Sequence, residues 1–208
     1  AVDLSKLGNF GGQKFLYLPP FMNGDALEGV KEVLPAFDGV YCDGFWAIEF
    51  CREQGKKLFA GCGFNLASSL SLSQLNAEYV ALSKELTFAE ARPLAGANTF
   101  LLSAGDIKVM DLVYCPFGKS CKTCDRRDIY TITDESGRAF PMRRYVAGRG
   151  AFELFNCASL VAPQNFTGTL PDCTLGNAAE VSGMADSADK LKNYFKNYTS
   201  GHSKSPVL

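Results

Sequence analysis

The 208-residue sequence has one histidine, almost no net charge, and no apolar run near the ~20 residues a membrane-spanning helix needs. The lone histidine, His202 in TSGHSKSP, leaves no Ser/His/Asp or Cys/His triad to assemble with confidence. With 21 Lys+Arg against 22 Asp+Glu, the chain lacks the basic excess of a free-standing protein held on nucleic acid by phosphate contacts. It has no GxxxxGK[ST] loop, and no dinucleotide fingerprint follows its first strand, so neither phosphate cradle is present. A charged fraction of 21% beside 47% apolar residues excludes wholesale disorder. The length suits one domain that can bury its own core without disulfides.

Eight cysteines are many for such a chain. Cys42, Cys51 and Cys62 sit in apolar runs (GVYCDGF, AIEFCRE, LFAGCGF) and read as small buried hydrophobes. Cys115, Cys121 and Cys124 differ, falling in the polar loop YCPFGKSCKTCDRR, turned by Pro116 and Gly118. Lys119, Lys122, Arg126 and Arg127 nearby favour thiolate, and three thiols so close together can converge on one metal. Four thiolates would suit zinc or an iron–sulfur cluster. Cys157 is the first choice for the fourth ligand, His202 or Cys173 the next, and a metal-free knuckle is the alternative. Irregular cysteine spacing and the lack of a secretory apolar segment point to a reducing, cytoplasmic compartment, where the sequons at Asn165 and Asn197 are chance matches.

Along the chain, residues 1–13 look irregular. Short apolar strands then alternate with amphipathic helices: KFLYLPP, NGDALEGVKEVLPAF, DGVYCDG, FWAIEFCREQG, KKLFAGCGFN, SSLSLSQLN, AEYVALSKE, TFAEARPLAG, NTFLLSAG. Strands that are continuously apolar are expected to be covered on both faces, and their alternation with helices predicts βαβ units and a parallel sheet. After Met110 the rhythm stops. DIYTITDESGRAFPM reads as a β-hairpin turning at Asp134–Gly137, FELFNCASL and DCTLGN as further strands, and DSADKLKNYFKNYT as a helix with Leu191, Tyr194, Phe195 and Tyr198 on one stripe. The fold class expected is α/β, a TIM-barrel-like (β/α) module over 14–208, incomplete or truncated at its N-terminus, with a Cys-rich hairpin insert at about 111–150. An open parallel sheet is the competing architecture. A barrel cut before Lys14 would leave an unpaired strand edge, covered by residues 1–13, by a homodimer partner or by the missing barrel half.

Sites in such folds form at strand carboxyl ends. The polar residues there are Asn65 and Ser68, then Ser83, Lys84 and Glu85, then Ser103 and Asp106, then Asn156. Glu85 is the leading general acid/base, its bland counterpart being that it simply precedes or caps the helix starting near Thr87. Around the insert, Arg138, Arg143, Arg144 and Arg149 alternate with Tyr130, Phe140 and Tyr145, a face that suits stacked bases or simple solvation.

The run YCPFGKSCKTCDRRDIYTITDESGRAFPM resembles the cysteine-bearing insert of peptidase family U-32, the collagenase-like peptidases. GFNLASSLSLSQLNAEYVALSKELTFAEA, FELFNCASL and YTSGHSKSPVL resemble, in order, that family's Asn-rich and Ser-x-Glu-Leu turns, its strand ending in Asn and its Thr-x-Gly-His tail. The likeness covers residues 14 to 208. It implies a cytoplasmic, usually bacterial TIM-barrel-like enzyme acting on a peptide, or on RNA by iron–sulfur-dependent modification such as hydroxylation. It matches Cys115, Cys121 and Cys124 to three cluster cysteines, and Asn65, Ser83, Glu85 and Asn156 to polar strand-end positions. Three positions depart: the fourth cysteine falls near Gly150, Lys84 replaces a proline, and Gly105-Asp106 replaces Gly-Arg. A non-catalytic binding or scaffold module with a structural or degenerate metal knuckle is the alternative.

Overall fold

The computed structural model describes residues 4, 11–117, 127–147, 149–162, 166–176, 192, 195 and 197–202. Five parallel strands, β1 (Phe15–Leu18), β2 (Gly39–Cys42), β3 (Lys57–Ala60), β4 (Tyr79–Ala81) and β5 (Thr99–Gly105), follow one another across the sheet. Helices α1 (Gly24–Val33), α2 (Trp46–Glu53), α3 (Ser69–Gln74) and α4 (Phe88–Ala91) connect them. Local chemistry sets the helix ends. Asn23 caps α1, its Oδ1 accepting from the Ala26 amide at 3.0 Å. Thr87 and Glu90 close a reciprocal capping box on α4. Gly55, at φ +61°, turns the chain out of α2.

The two faces of this sheet differ. Leu16, Leu18, Val40, Cys42, Leu58 and Ala60 alternate onto one face and form the main core, with Val30, Ala47 and Phe50 of the helices packed on it. The register places Tyr17, Tyr41, Phe59 and Tyr79 side by side on the other. Neighbouring rings there lie 5.9, 5.0 and 5.6 Å apart. Strands expected to be covered on both faces are therefore helix-covered on one, while the rings on the other front a cavity. Apolarity alone does not separate these cases, because aromatic side chains read as core in either.

Beyond its first residues β5 also pairs with β10 (Ser159–Val161), antiparallel, and with β11 (Thr169–Asp172), parallel. The two-residue β12 (Tyr198–Thr199) completes the path β1-β2-β3-β4-β5-β10-β12. Among the described residues this path does not return to β1, so the architecture is an α/β fold with a parallel-strand sheet. A second sheet, β6 (Lys108–Leu112), β7 (Ile129–Thr133), β8 (Ala139–Ala147) and β9 (Arg149–Phe155), is antiparallel in the order β6-β9-β8-β7. Its hairpin turns at Asp134–Gly137 as expected. The Asp134 carboxylate accepts from the amides of Ser136 and Arg138, both at 2.9 Å, and Gly137 takes φ +77°.

Three expectations change. FELFNCASL is not one strand: it holds the end of β9, at Phe155, in the antiparallel sheet, and the start of β10, at Ser159. DCTLGN is not a strand: β11 ends at Asp172, whose carboxylate accepts from the Thr174 amide at 2.9 Å and turns the chain. The C-terminal helix does not run through Thr199, since Tyr198–Thr199 pair in parallel with β10. Leu191 and Tyr194 of its stripe lie outside the described residues, while Phe195 is buried against Ala104 and Val161. Residues 1–3 and 5–10, expected to cover the β1 edge, also lie outside them.

Candidate functional site

A cavity of about 810 Å3 lies at the carboxyl ends of the parallel strands. Its floor is Phe15, Tyr17, Tyr41 and Phe59. Its rim comes from residues that follow successive strands: Asp43 after β2, Cys62 after β3, Lys84 after β4, Lys108 after β5 and Asp172 at the end of β11. Asp111 of β6 and Glu153 of β9 close it from the antiparallel sheet. Strand ends gather such groups because the chain leaves the sheet there and side chains turn inward without breaking the ladder.

Lys108 is the hub. Its ammonium lies 2.7 Å from Asp43 Oδ2, 3.2 Å from Asp111 Oδ2 and 3.6 Å from Glu153 Oε1. Burial opposes its charge, yet Asp43, Asp111 and Glu153 together outweigh that and hold it protonated above the ordinary lysine range. Glu153, only 1% exposed, needs its own partners. Arg143 donates to its Oε2 from Nε at 2.9 Å and from Nη2 at 2.5 Å, and the Tyr17 hydroxyl donates to its Oε1. Burial raises the Tyr17 phenol far above its usual range, and the Glu153 charge adds to it. Two carboxyls bind protons more tightly than usual. Asp111 is raised by burial against the pull of Lys108, and Asp172 by burial against the bond from Thr174.

Neither Asp43 nor Glu153 stood out in the sequence. Asp43 directly follows a strand, so the strand-end rule reaches it. Glu153 sits in the apolar-looking FELF and meets Lys108 only through the β6–β9 register, which pairs Lys108 with Phe155 and Asp111 with Glu153.

The sequence-predicted residues are divided between two places. Ser83, 1% exposed, donates its hydroxyl to Asn65 Oδ1, tying the end of β4 to the turn after β3. Asn65 holds φ +50°, a left-handed position that asparagine tolerates. Glu85 is exposed, precedes α4, whose cap is Thr87, and lines a second, smaller cavity with Asn156 and His202. Lys84 lines both cavities and donates its ammonium to the Lys108 carbonyl.

Cys121 and Cys124 lie outside the described residues. Cys115 is exposed just beyond Leu112, the last residue of β6, and Cys157 lies just beyond Phe155, the last of β9. Because Lys108 pairs with Phe155 and Leu112 with Phe152, these thiols leave the ladder at opposite ends, and the register does not bring Cys157 to Cys115. Cys157 instead leans on the Asn156 side chain, and its carbonyl accepts from Asn197. Cys173 follows β11 and lines the larger cavity. Among the described residues no group of three or more His, Cys, Asp or Glu side chains is placed to hold a metal ion. Of the four expected ligands, only Cys115 and Cys157 are among the described residues. No helix among the described residues is long and apolar enough to cross a membrane. The chain matches no protein-family model, no curated protein and no solved structure.

Proposed function

We propose that the chain is a cytoplasmic enzyme module of the U-32 type, part of a TIM-like barrel, that hydrolyses peptide bonds by acid–base chemistry in the larger cavity. The observation that carries this reading is Lys108, kept charged between Asp43 and Asp111, in one cavity with Asp172 above an aromatic floor. The Lys108 ammonium polarises the scissile carbonyl and stabilises the oxyanion as it forms. Asp172 takes a proton from the attacking water as the carbon–oxygen bond forms. It returns that proton to the leaving nitrogen as the carbon–nitrogen bond breaks, a role that a raised carboxyl suits. Asp43, Asp111 and Glu153 position Lys108. No step passes through a metal. Whether Cys115, Cys121 and Cys124 hold an iron–sulfur cluster or zinc is a separate question, answered by iron and zinc content after anaerobic purification.

A second reading, RNA modification, is favoured by one feature: Tyr17, Tyr41 and Phe59 line the larger cavity with rings against which an unstacked base can lie. One comparison separates the readings. Release of amino groups from gelatin, reduced about a hundredfold or more in kcat by Asp172→Asn, supports hydrolysis. Absence of turnover with tight single-stranded RNA binding, lost in Tyr41→Ala, overturns it in favour of RNA. Neither activity leaves the non-catalytic scaffold.

A further inference from the structure

The smaller cavity, about 400 Å3, lies between the end of β4 and the turn after β12, and its size is that of a small-molecule site. Leu86, Leu102 and Leu160 give it apolar walls, while Glu85, Asn156 and His202 supply polar groups. Lys84, Leu102 and Val109 line both this cavity and the larger one. The polar groups are not equally available. Lys84 is committed to the Lys108 carbonyl, and Asn156 Nδ2 donates to the Ala158 carbonyl at 3.3 Å. Among the described residues the Glu85 carboxylate and the His202 imidazole have no hydrogen-bond or ion-pair partner, and both border this cavity. Among the described residues, what remains without a partner is therefore the Glu85 carboxylate and the His202 ring, beside a wall of leucines, with the Lys84 ammonium turned onto the Lys108 carbonyl.

We infer that this cavity binds a primary ammonium group carried on a small apolar body, with the Glu85 carboxylate as counter-ion, His202 accepting a further N–H, and the leucine walls taking the hydrocarbon. A charged carboxylate accepting from an ammonium forms one of the stronger polar contacts available to a protein. The apolar wall adds affinity and selects against hydrophilic amines such as ammonia or glycinamide. Two sources carry this chemistry, a free hydrophobic amine and the N-terminus of a peptide that begins with an apolar residue. The second would suit a peptide lying over Lys84 into the larger cavity, and only this choice of source rests on the peptidase reading.

The test is calorimetric titration of the full chain with L-leucinamide, N-acetyl-L-leucinamide, glycinamide and Leu-Gly-Gly. L-leucinamide should bind, and the acetylated and glycine analogues should bind at least about tenfold more weakly, as expected from loss of a charge-assisted bond or of the apolar contact. Glu85→Gln, at an exposed position, should weaken L-leucinamide by a similar factor without changing the melting temperature. Glu85→Lys should reverse the preference toward 4-methylpentanoate. Equal binding of L-leucinamide and its acetylated form, or Glu85→Gln within twofold of wild type, overturns the site. Tighter binding of Leu-Gly-Gly than of L-leucinamide identifies the peptide source, and equal binding the free amine. Asp172→Asn, in the other cavity, should leave the L-leucinamide affinity unchanged, so loss of peptide turnover and loss of ammonium binding fail independently.

Discussion

Tyr17 on β1 donates its phenolic hydrogen to Glu153 on β9, so a residue of the parallel sheet completes the coordination of a carboxylate buried in the antiparallel one. Arg143 and Lys108 supply the other contacts. Glu153→Gln should therefore cost about 3–5 kcal/mol, because it leaves the partly buried Arg143 facing a neutral amide and takes one of three carboxylates from Lys108. Tyr17→Phe removes one bond to a charged acceptor and should cost about 1.5–3 kcal/mol. Urea unfolding measures both. A Glu153→Gln protein as stable as wild type would show that the contact between the sheets is not where the fold is held.

Asp172 makes the stability depend on pH in a defined direction. Its carboxyl is raised in the fold by burial, so the folded state holds the proton to higher pH than the unfolded chain does. Its contribution is fully present below the ordinary aspartate value of about 3.9 and is lost as pH rises through the raised value. Asp172→Asn keeps an oxygen for the Thr174 amide but cannot ionise. The variant should gain stability relative to wild type between pH 4 and pH 7, and a difference that stays constant over that range would contradict the assignment. Lys108 acts in another window. Its raised value keeps its contribution intact until the pH passes the ordinary lysine value of about 10.4.

How much of this was readable beforehand follows from the range of each interaction. β1 to β5 and their helices came from periods of a few residues, with caps such as Asn23 and Thr87 written next to the helices they start. The Asp134–Gly137 turn is equally local. The cavity is not: Lys108 finds Asp43, Asp111 and Glu153 only once two sheets are assembled, and nothing near Glu153 in the chain marks it as charged core. The strand-end rule did lead to Glu85, Asn156 and Lys84. It could not show that the first two front a different cavity from the buried carboxylates, because that depends on where β10 and β12 dock beside β5.

The thiols should divide sharply by reactivity. Burial pushes Cys42 up to about 12 and Cys51 up to about 11; Cys62 is pushed up to about 12 by burial and by the charge of Asp43. At pH 8 each then carries a thiolate fraction of about one in a thousand or less, too little for ready alkylation. Cys115 is exposed. Brief treatment with iodoacetamide, followed by peptide mass mapping, should find Cys115 modified first among the described cysteines. Cys42, Cys51 and Cys62 should react only in urea. Early modification of Cys62 would mean that the cavity beside Asp43 is wetter than the packing implies.

Gly61 offers a test of Asp43 that does not touch a charged group. Its backbone conformation, φ −78° and ψ 179°, is open to any residue, so the demand for glycine here is one of space. A Cβ at this position would collide with Asp43 Oδ1 and come 2.9 Å from Cζ of the Tyr41 ring. Asp43 would have to swing away, giving up its 2.7 Å pairing with Lys108 and its 3.0 Å bond from the Gly63 amide. Gly61→Ala should cost about 1–3 kcal/mol, the usual scale for overpacking a filled site. Most of that cost should vanish in an Asp43→Ala background, where the obstructing carboxylate is gone, leaving a coupling of about 1 kcal/mol or more between the two sites. Additive effects would instead place the strain at Tyr41, and Asp43 would then be free to move without disturbing the charge on which the proposed chemistry depends.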